Sequence, residues 1–251
     1  MMWLKKFYLR LETILLFRRQ NLHILFTKSQ NSSETLIKRF VAKGHRVSNF
    51  PILNIKPITI PDINFKDFTA VIFTSSNAVQ NLKNIRNINH LKCFCVGEET
   101  AEIAKKIGFL NIQVAGGNYI VLRDLIFKSC DKNKESFIYV RGEFVSNDLE
   151  GDFKKEGYNL KSTINYTAEP NLNIDHQLIE DLKNKLVDVI FVYSKRAADQ
   201  LLKIILNHKI TNDLDNCSLN CISINVANTL KRLNWKKIKI FSPGEEELSL
   251  L

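Results

Sequence analysis

Glycine, proline and cysteine are scarce in this chain of 251 residues: it carries 9, 5 and 5 of them. So little Gly and Pro excludes collagen-like and Pro/Gly low-complexity architectures. Long apolar runs are missing too, and a helix that spans a bilayer needs about 20 consecutive apolar residues. The sequence holds no Gly-rich dinucleotide loop, no GxxxxGK[ST], no G-x-S-x-G and no H-E-x-x-H. Its five His, at 23, 45, 90, 176 and 208, are dispersed and unpaired. Nothing here supports metal, nicotinamide, flavin or nucleophilic Ser/Cys chemistry. The five Cys give neither a zinc site nor a disulfide framework. Cys93-x-Cys95 lies in an apolar run that reads as a buried strand, Cys130 stands alone, and Cys217 and Cys221 lack a nearby His or a second CxxC. Reduced, buried thiols of a cytosolic protein are the reading.

What is present is ordinary for a globular protein: 45% hydrophobic and 25% charged residues, which excludes disorder as the dominant state. At roughly 100–200 residues per domain, the length allows one large or two small domains. Lys and Arg number 36 against 26 Asp and Glu, a net charge of +10. That excess attracts anions: nucleic acid, an acidic membrane surface or a polyanionic small molecule. Nucleic-acid binders gather their basic residues on one helix or face. Here they are spread along the chain among Asn and Ile, so no nucleic-acid partner is expected. The first 23 residues are basic and partly apolar, but their longest uncharged run, Thr13 to Phe17, is too short to cross a bilayer. A clean signal-peptide core and a small-residue cleavage site are absent. Residues 1–20 are set aside as a basic leader: dispensable, the product of an early start codon, or a helix resting on a membrane. The expectation is a cytoplasmic protein with no stable membrane insertion.

Short apolar runs alternate with helical patterns. Leu22 to Phe26 precedes a polar turn and then Leu36, Ile37, Phe40 and Val41 at helical spacing, closed by Gly44, with a strand expected from Val47 to Ile55. Ala70 to Phe73 precedes TSSN and the helix AVQNLKNI; Cys93 to Val96 precedes GEET and AEIAKKIG. Such units predict parallel sheets with helices on both faces. The second half repeats the order. Ile138-Tyr-Val-Arg-Gly142 leads to LEGDFKKEG as Ile24 to Lys28 leads to LIKRFVAKG, and Gly44 pairs with Gly157 at the offset that pairs Phe40 with Phe153. VIFVYSKRAADQLLKII (189–205) parallels VIFTSSNAVQNLKNI (71–85), and CISINVANTLKRLNW (221–235) parallels CFCVGEETAEIAKKIGF (93–109). Two extended stretches interrupt the units, 50–64 with Pro at 51, 57 and 61, and 162–175. Pro confines a strand to sheet edges, so both read as connectors between domains. A chain that crosses twice between two lobes is expected to leave a cleft, where ligands favour binding.

The strand-to-helix turns are rich in Ser, Thr, Asn and Gly: Thr27 to Ser33, Thr74-Ser75-Ser76-Asn77, Gly97-Glu98-Glu99-Thr100, Gly116-Gly117-Asn118 and Ser194. Two readings are open. Each turn supplies a helix N-cap, which needs one such residue. Together they also place helix N-termini at strand C-termini, the edge where open α/β sheets bind ligands and where free N–H groups receive anions.

These segments resemble the uroporphyrinogen-III synthase family. VIFTSSNAV (71–79) is similar to the family's strand ending in FTS, VGEETAEIAKKIGF (96–109) to its VG-x-x-TA segment, and INYTAEP (164–170) to its V-Y-x-T-x-P connector. VDVIFVYSKRAADQLL (187–202) resembles the second F-x-S segment and FSPGEEELSLL (241–251) the closing A-x-x-P-T-x-x-x-L. The resemblance runs from about Ile24 to the C-terminus. It implies an α/β fold of two flavodoxin-like parallel-sheet lobes joined by a two-stranded β ladder, the first lobe discontinuous. The expected boundaries are 21–52 plus 172–251 for lobe 1, 60–164 for lobe 2, and 53–59 and 165–171 for the connectors. It also implies a cofactor-independent lyase, a monomer in heme biosynthesis. Its substrate is hydroxymethylbilane, a linear tetrapyrrole with eight carboxylates. The enzyme removes the hydroxyl, inverts ring D through a spiro intermediate and closes the ring to uroporphyrinogen III; without it the bilane closes to isomer I.

Tyr166, at the family's connector tyrosine, is the side chain expected nearest the chemistry, hydrogen-bonding the departing hydroxyl; packing between lobes is the alternative. Thr27, Ser75, Ser76, Asn77, Gly97, Thr100 and Ser194 are expected to contact substrate mainly through backbone N–H groups. Lys28 and Arg141, after equivalent strands, pair with carboxylates or are solvated surface charges. The second I-G-x-x-T-A segment departs from the pattern as Ile222-Ser223-Ile224-Asn225-Val226-Ala227, and Asn234, which accepts left-handed geometry, stands for the helix-ending Gly. A non-catalytic two-lobed binding protein for an anionic metabolite is the competing function.

Overall fold

The computed structural model describes residues 21–60, 63–82 and 86–250. The basic leader lies outside them, as do Pro61 and the 83–85 end of the helix expected over AVQNLKNI. In chain order the elements are β1 (His23–Phe26), α1 (Gln30–Ala42), β2 (Arg46–Asn49), β3 (Leu53–Pro57), β4 (Ala70–Phe73), α2 (Ser76–Gln80), β5 (Lys92–Cys95), α3 (Glu98–Lys106), β6 (Asn111–Val114) and α4 (Tyr119–Ser129). They continue as β7 (Ser136–Gly142), α5 (Leu149–Glu156), β8 (Asn159–Pro170), α6 (His176–Lys183), β9 (Val189–Val192), α7 (Lys195–Asn207), β10 (Ser218–Cys221), α8 (Ile224–Leu230) and β11 (Lys237–Ile240). The strand expected from Val47 to Ile55 is two strands. Pro51 has no N–H to give a ladder, and the pairing stops at Asn49 and resumes at Leu53.

The chain forms two compact units. One holds the described residues through Ile52 with Asn173–Ile240; the other holds Leu53–Leu172 and the segment from Phe241 onward. Lobe 1 was expected to run to 251, whereas this last segment lies in the second unit, where Pro243 Cγ stands 3.5 Å from the position a Cβ on Gly117 would take.

The first unit's sheet is wholly parallel, in the order β2-β1-β9-β10-β11. Counted along that unit the order is 2-1-3-4-5, the flavodoxin-like arrangement. The second sheet runs β3-β8-β7-β4-β5-β6, with only β3 antiparallel to its neighbour. Starting the count at β7, its parallel part also reads 2-1-3-4-5. The second unit is therefore a circular permutation of the first, with β7 matching β1, β8 matching β2, and β4, β5 and β6 matching β9, β10 and β11. This is the pairing that the repeated sequence segments predict. The central strands β1, β4 and β9 are buried along their whole length, as apolar strands covered on both faces must be. Helix α7 turns Ala198, Leu201 and Ile205 inward, one face at helical spacing. All five cysteines are buried and free.

The two repeat glycines do the same physical work. Gly44 (φ +87°) and Gly157 (φ +78°) are left-handed. Gly44 N–H donates to Val41 O at 2.9 Å and His45 N–H to Phe40 O at 3.1 Å; Gly157 N–H donates to Lys154 O at 3.2 Å and Tyr158 N–H to Phe153 O at 2.9 Å. Both form a Schellman motif, which needs a residue free of Cβ strain at its left-handed position. After α7 the same motif is built on Lys209 at φ +57°, with Lys209 N–H to Leu206 O at 3.2 Å and Ile210 N–H to Ile205 O at 3.1 Å. A side chain there costs energy that glycine does not. Lys209→Gly is expected to raise stability by about 0.5–1 kcal/mol, read as a higher denaturant midpoint. Asn234 does not adopt left-handed geometry. Helix α8 has already ended at Leu230, whose carbonyl accepts the Trp235 indole N–H at 2.9 Å.

His23 opens β1 as a buried neutral imidazole. Its Nδ1–H donates to Leu186 O (3.1 Å), and Nε2 lies 2.8 Å from Ser48 Oγ, which donates to it. Burial first, and the Arg46 cation second, hold its pKa below the ordinary 6.5. The unfolded chain therefore takes up this proton more readily than the folded one. Its contribution to stability is complete above about pH 6.5 and falls as the pH drops toward the folded value. Chemical denaturation at pH 7.5 and 5.5 should show that loss, and His23→Gln should reduce the difference between the two pH values.

Candidate functional site

In a sheet of order 2-1-3-4-5, ligands bind beyond the strand C-termini, where the direction of winding reverses. In the second unit that point lies between β7 and β4. Three polar turns leave the sheet beside it. The first, Thr74 to Asn77, follows β4. Ser75 caps α2 by accepting the Asn77 N–H at 3.2 Å, and Thr74 Oγ1 lies 2.8 Å from Tyr139 Oη, tying β4 to β7. Burial raises the Tyr139 phenol, so it stays protonated. The second turn follows β5. Gly97 is the N-cap of α3 with no side chain to fill its amides, and the helical ladder begins where Ala101 N–H donates to Gly97 O at 3.1 Å. Thr100 is buried in the first turn of α3. Ser76 Oγ donates to Glu99 Oε1 at 3.0 Å and links the first turn to the second. The third turn, Gly116-Gly117-Asn118, follows β6. Gly117 Cα stands 3.7 Å from the Cβ position of Gly97, and Asn118 Oδ1 caps α4 by accepting the Val121 N–H at 2.9 Å.

On the other side of the reversal, β7 ends in Arg141 and Gly142. Arg141 is anchored: its Nε donates to Glu150 Oε1 at 2.9 Å and an Nη to Gly142 O at 3.0 Å. It is therefore not a loose surface charge. Tyr166 lies opposite Gly142 on β8. Its ring is half-buried against the apolar cluster that includes Phe73, Ala78 and Val140. The β7–β8 register shifts here: Arg141 pairs with Ile164 and Gly142 with Tyr166, leaving Asn165 as a bulge. Asn165 is buried, and its Nδ2 donates to Ala78 O in α2 at 2.7 Å.

In the first unit the reversal lies between β1 and β9. Thr27, at the end of β1, is buried, and its hydroxyl donates to Phe191 O of β9 at 2.7 Å. The Lys28 ammonium lies 4.8 Å from the centroid of the Tyr193 ring, a cation–π distance. Ser194 caps α7 by accepting the Ala197 N–H at 3.1 Å. At the divergent turn after β10, Ser223 caps α8, its Oγ 3.4 Å from the Val226 nitrogen. Here a hydroxyl fills the amide that Gly97 leaves without a side-chain cap.

The structure thus brings Ser75, Ser76, Asn77, Gly97, Thr100, Arg141 and Tyr166 to neighbouring strand ends in one unit, and Thr27, Lys28 and Ser194 to the corresponding ends in the other. Ser75 and Ser194 are helix caps, so their hydroxyls are engaged and their backbones carry what they offer. Sequence reasoning did not single out Tyr139, Glu150, Asn165 or Gly142, and named Glu99 only as part of its turn. Of the four, Gly142 left a trace as a glycine closing an apolar strand. A shallow depression of about 540 Å3, lined by Glu150, Lys154 and residues 157–160 and 162, includes none of these turns and meets the site only through Glu150, the partner of Arg141. Among the described residues no group of three or more His, Cys, Asp or Glu is placed to hold a metal ion.

The family model described as Uroporphyrinogen-III synthase HemD matches residues 18–244. Two solved structures share the fold. One is uroporphyrinogen-III synthetase from Helicobacter pylori 26695, at 17% identity and TM-score 0.58, covering 92% of this chain and 100% of that one. The other is a mutant uroporphyrinogen III synthase from the extremely thermophilic bacterium Thermus thermophilus, at 14% identity and TM-score 0.53, covering 87% and 92%. No curated protein matches the chain.

Proposed function

Because the chain belongs to the uroporphyrinogen-III synthase family, we propose that it dehydrates hydroxymethylbilane and closes it, with ring D inverted, to uroporphyrinogen III. The observation that carries this reading is the family match across residues 18–244. The local geometry supports it: in each unit, main-chain amides and hydroxyls at the winding reversal suit a substrate bearing many carboxylates. The turns after β5 and β9 supply amides, Lys28 and the anchored Arg141 supply positive charge, and the Tyr166 phenol hydrogen-bonds the departing hydroxyl.

The chemistry asks little more of the protein. Closure to isomer I is spontaneous, so the enzyme must favour attack at the substituted carbon of ring D. A hundredfold bias toward that route needs about 2.7 kcal/mol of differential transition-state binding, which positioning supplies. The reading includes a cytoplasmic monomer that uses no cofactor and binds no nucleic acid. Among the described residues no helix is long and apolar enough to cross a membrane.

The test is direct. Purified protein is given hydroxymethylbilane, and the products are oxidised and separated. Isomer III is expected. Isomer I alone would remove the proposal, and binding of the bilane with no change in isomer outcome would replace it with a non-catalytic binding protein.

A further inference from the structure

We propose that Gly142 is the positioning residue of Tyr166: it holds open the space in which the phenol sits. This inference rests on the reading that Tyr166 acts on the departing hydroxyl. A Cβ built on Gly142 would stand 2.6 Å from Tyr166 Cζ, 2.9 Å from Cε2 and 2.9 Å from Oη. Real side chains do not approach so closely, so any other residue at 142 must displace the outer edge of the ring. Gly142 does not have a left-handed φ, so its backbone accepts a side chain. The glycine is needed for the tyrosine, not for the turn.

The surroundings fix the backbone of the residue, and Gly142 borders its phenol end. The bulge at Asn165 sets Tyr166 opposite Gly142, and Asn165 Nδ2 holds that bulge to Ala78 O at 2.7 Å. On the strand's other side, Ile58 N–H donates to Asn165 O at 2.9 Å. Tyr166 O accepts the Glu143 N–H at 2.9 Å, and Thr167 Oγ1 donates to Glu143 Oε2 at 2.6 Å. The backbone of Tyr166 is thus pinned on both sides. A Cβ at 142 is relieved most cheaply by rotation of the ring, whose far end supplies the three atoms nearest to it. A shift of about 1 Å in a reacting group can cost about a hundredfold in rate.

Gly142→Ala tests this in the full-length protein labelled with 3-fluorotyrosine, with the Tyr166 19F resonance assigned by its loss in Tyr166→Phe. The expected result has three parts. The Tyr166 resonance moves while the other tyrosines keep theirs. Turnover falls between tenfold and a hundredfold, with KM changed less than threefold. The double variant Gly142→Ala/Tyr166→Phe is no slower than Tyr166→Phe alone. An unmoved resonance overturns the proposal, whatever the activity. So does a double variant slower than Tyr166→Phe by the full Gly142→Ala factor, which would mean that Gly142 acts independently of the phenol. A moved resonance with full turnover in both single variants removes Tyr166 from the reaction and reduces Gly142 to packing. A moved resonance with full turnover in Gly142→Ala, beside a slow Tyr166→Phe, keeps Tyr166 in the reaction and overturns the positioning role alone.

Discussion

Tyr166→Phe is expected to lower turnover about a hundredfold, within the range of a hydrogen-bonding group that assists proton transfer to a leaving oxygen. The substitution removes one oxygen and keeps the ring, so packing against the cluster of Phe73, Ala78 and Val140 persists. Stability should change by no more than about 1 kcal/mol. Substrate affinity should change little, because the many carboxylates are held elsewhere. The loss therefore falls on kcat. A second consequence follows from the chemistry: spontaneous closure to isomer I competes with a slowed enzyme, so the fraction of isomer I rises as enzyme concentration is lowered. Single-turnover kinetics with isomer separation reads both effects. Turnover equal to that of the unmodified protein would leave Tyr166 as a packing residue.

The alternation of buried strand and amphipathic helix was legible because both periods are local. Ala70–Phe73 and Val189–Val192 needed nothing beyond four consecutive apolar residues between polar turns. The doubling was legible for a sharper reason: a Schellman motif places its left-handed residue four positions after the residue whose carbonyl closes it, so Gly44 with Phe40 and Gly157 with Phe153 share a spacing. Asn234 misled because the cap at that position comes from the Trp235 indole, a tertiary contact that no spacing encodes. The polar turns were found, but not the division of labour inside them. Ser75, Ser194 and Ser223 are caps, while Gly97 leaves its amides without a side-chain one; all four share the same extended backbone, so the hydroxyl alone separates these cases, and that it turns back onto its own helix is a matter of side-chain geometry. Arg141 with Glu150 and Gly142 with Tyr166 join different elements, so neither pairing leaves a local pattern.

The doubling also predicts the largest stability effects. Phe40→Ala and Phe153→Ala occupy equivalent places and are expected to cost about 3–5 kcal/mol each, the usual loss for a fully buried Phe. Phe40 lies edge-on to Phe26 at 5.4 Å and tilted to Phe191 at 6.2 Å and His45 at 5.8 Å. Phe153 lies edge-on to Phe137 at 5.2 Å and tilted to Phe127 at 5.1 Å and Tyr158 at 5.3 Å. In both, the ring anchors a helix to the strand before it and also meets the residue that follows the left-handed glycine. Truncation opens a cavity at that corner. Trp235 belongs to the first unit and is nearly buried, so its fluorescence reports that unit once Trp3→Phe removes the second indole. In that background Phe40→Ala should move the tryptophan transition to lower denaturant. Phe153→Ala should leave it in place and instead lower the denaturant at which backbone amides of β4 and β7 exchange. If Phe153→Ala moves the tryptophan transition as far as Phe40→Ala does, the units unfold as one body and the separate assignment of the two losses fails.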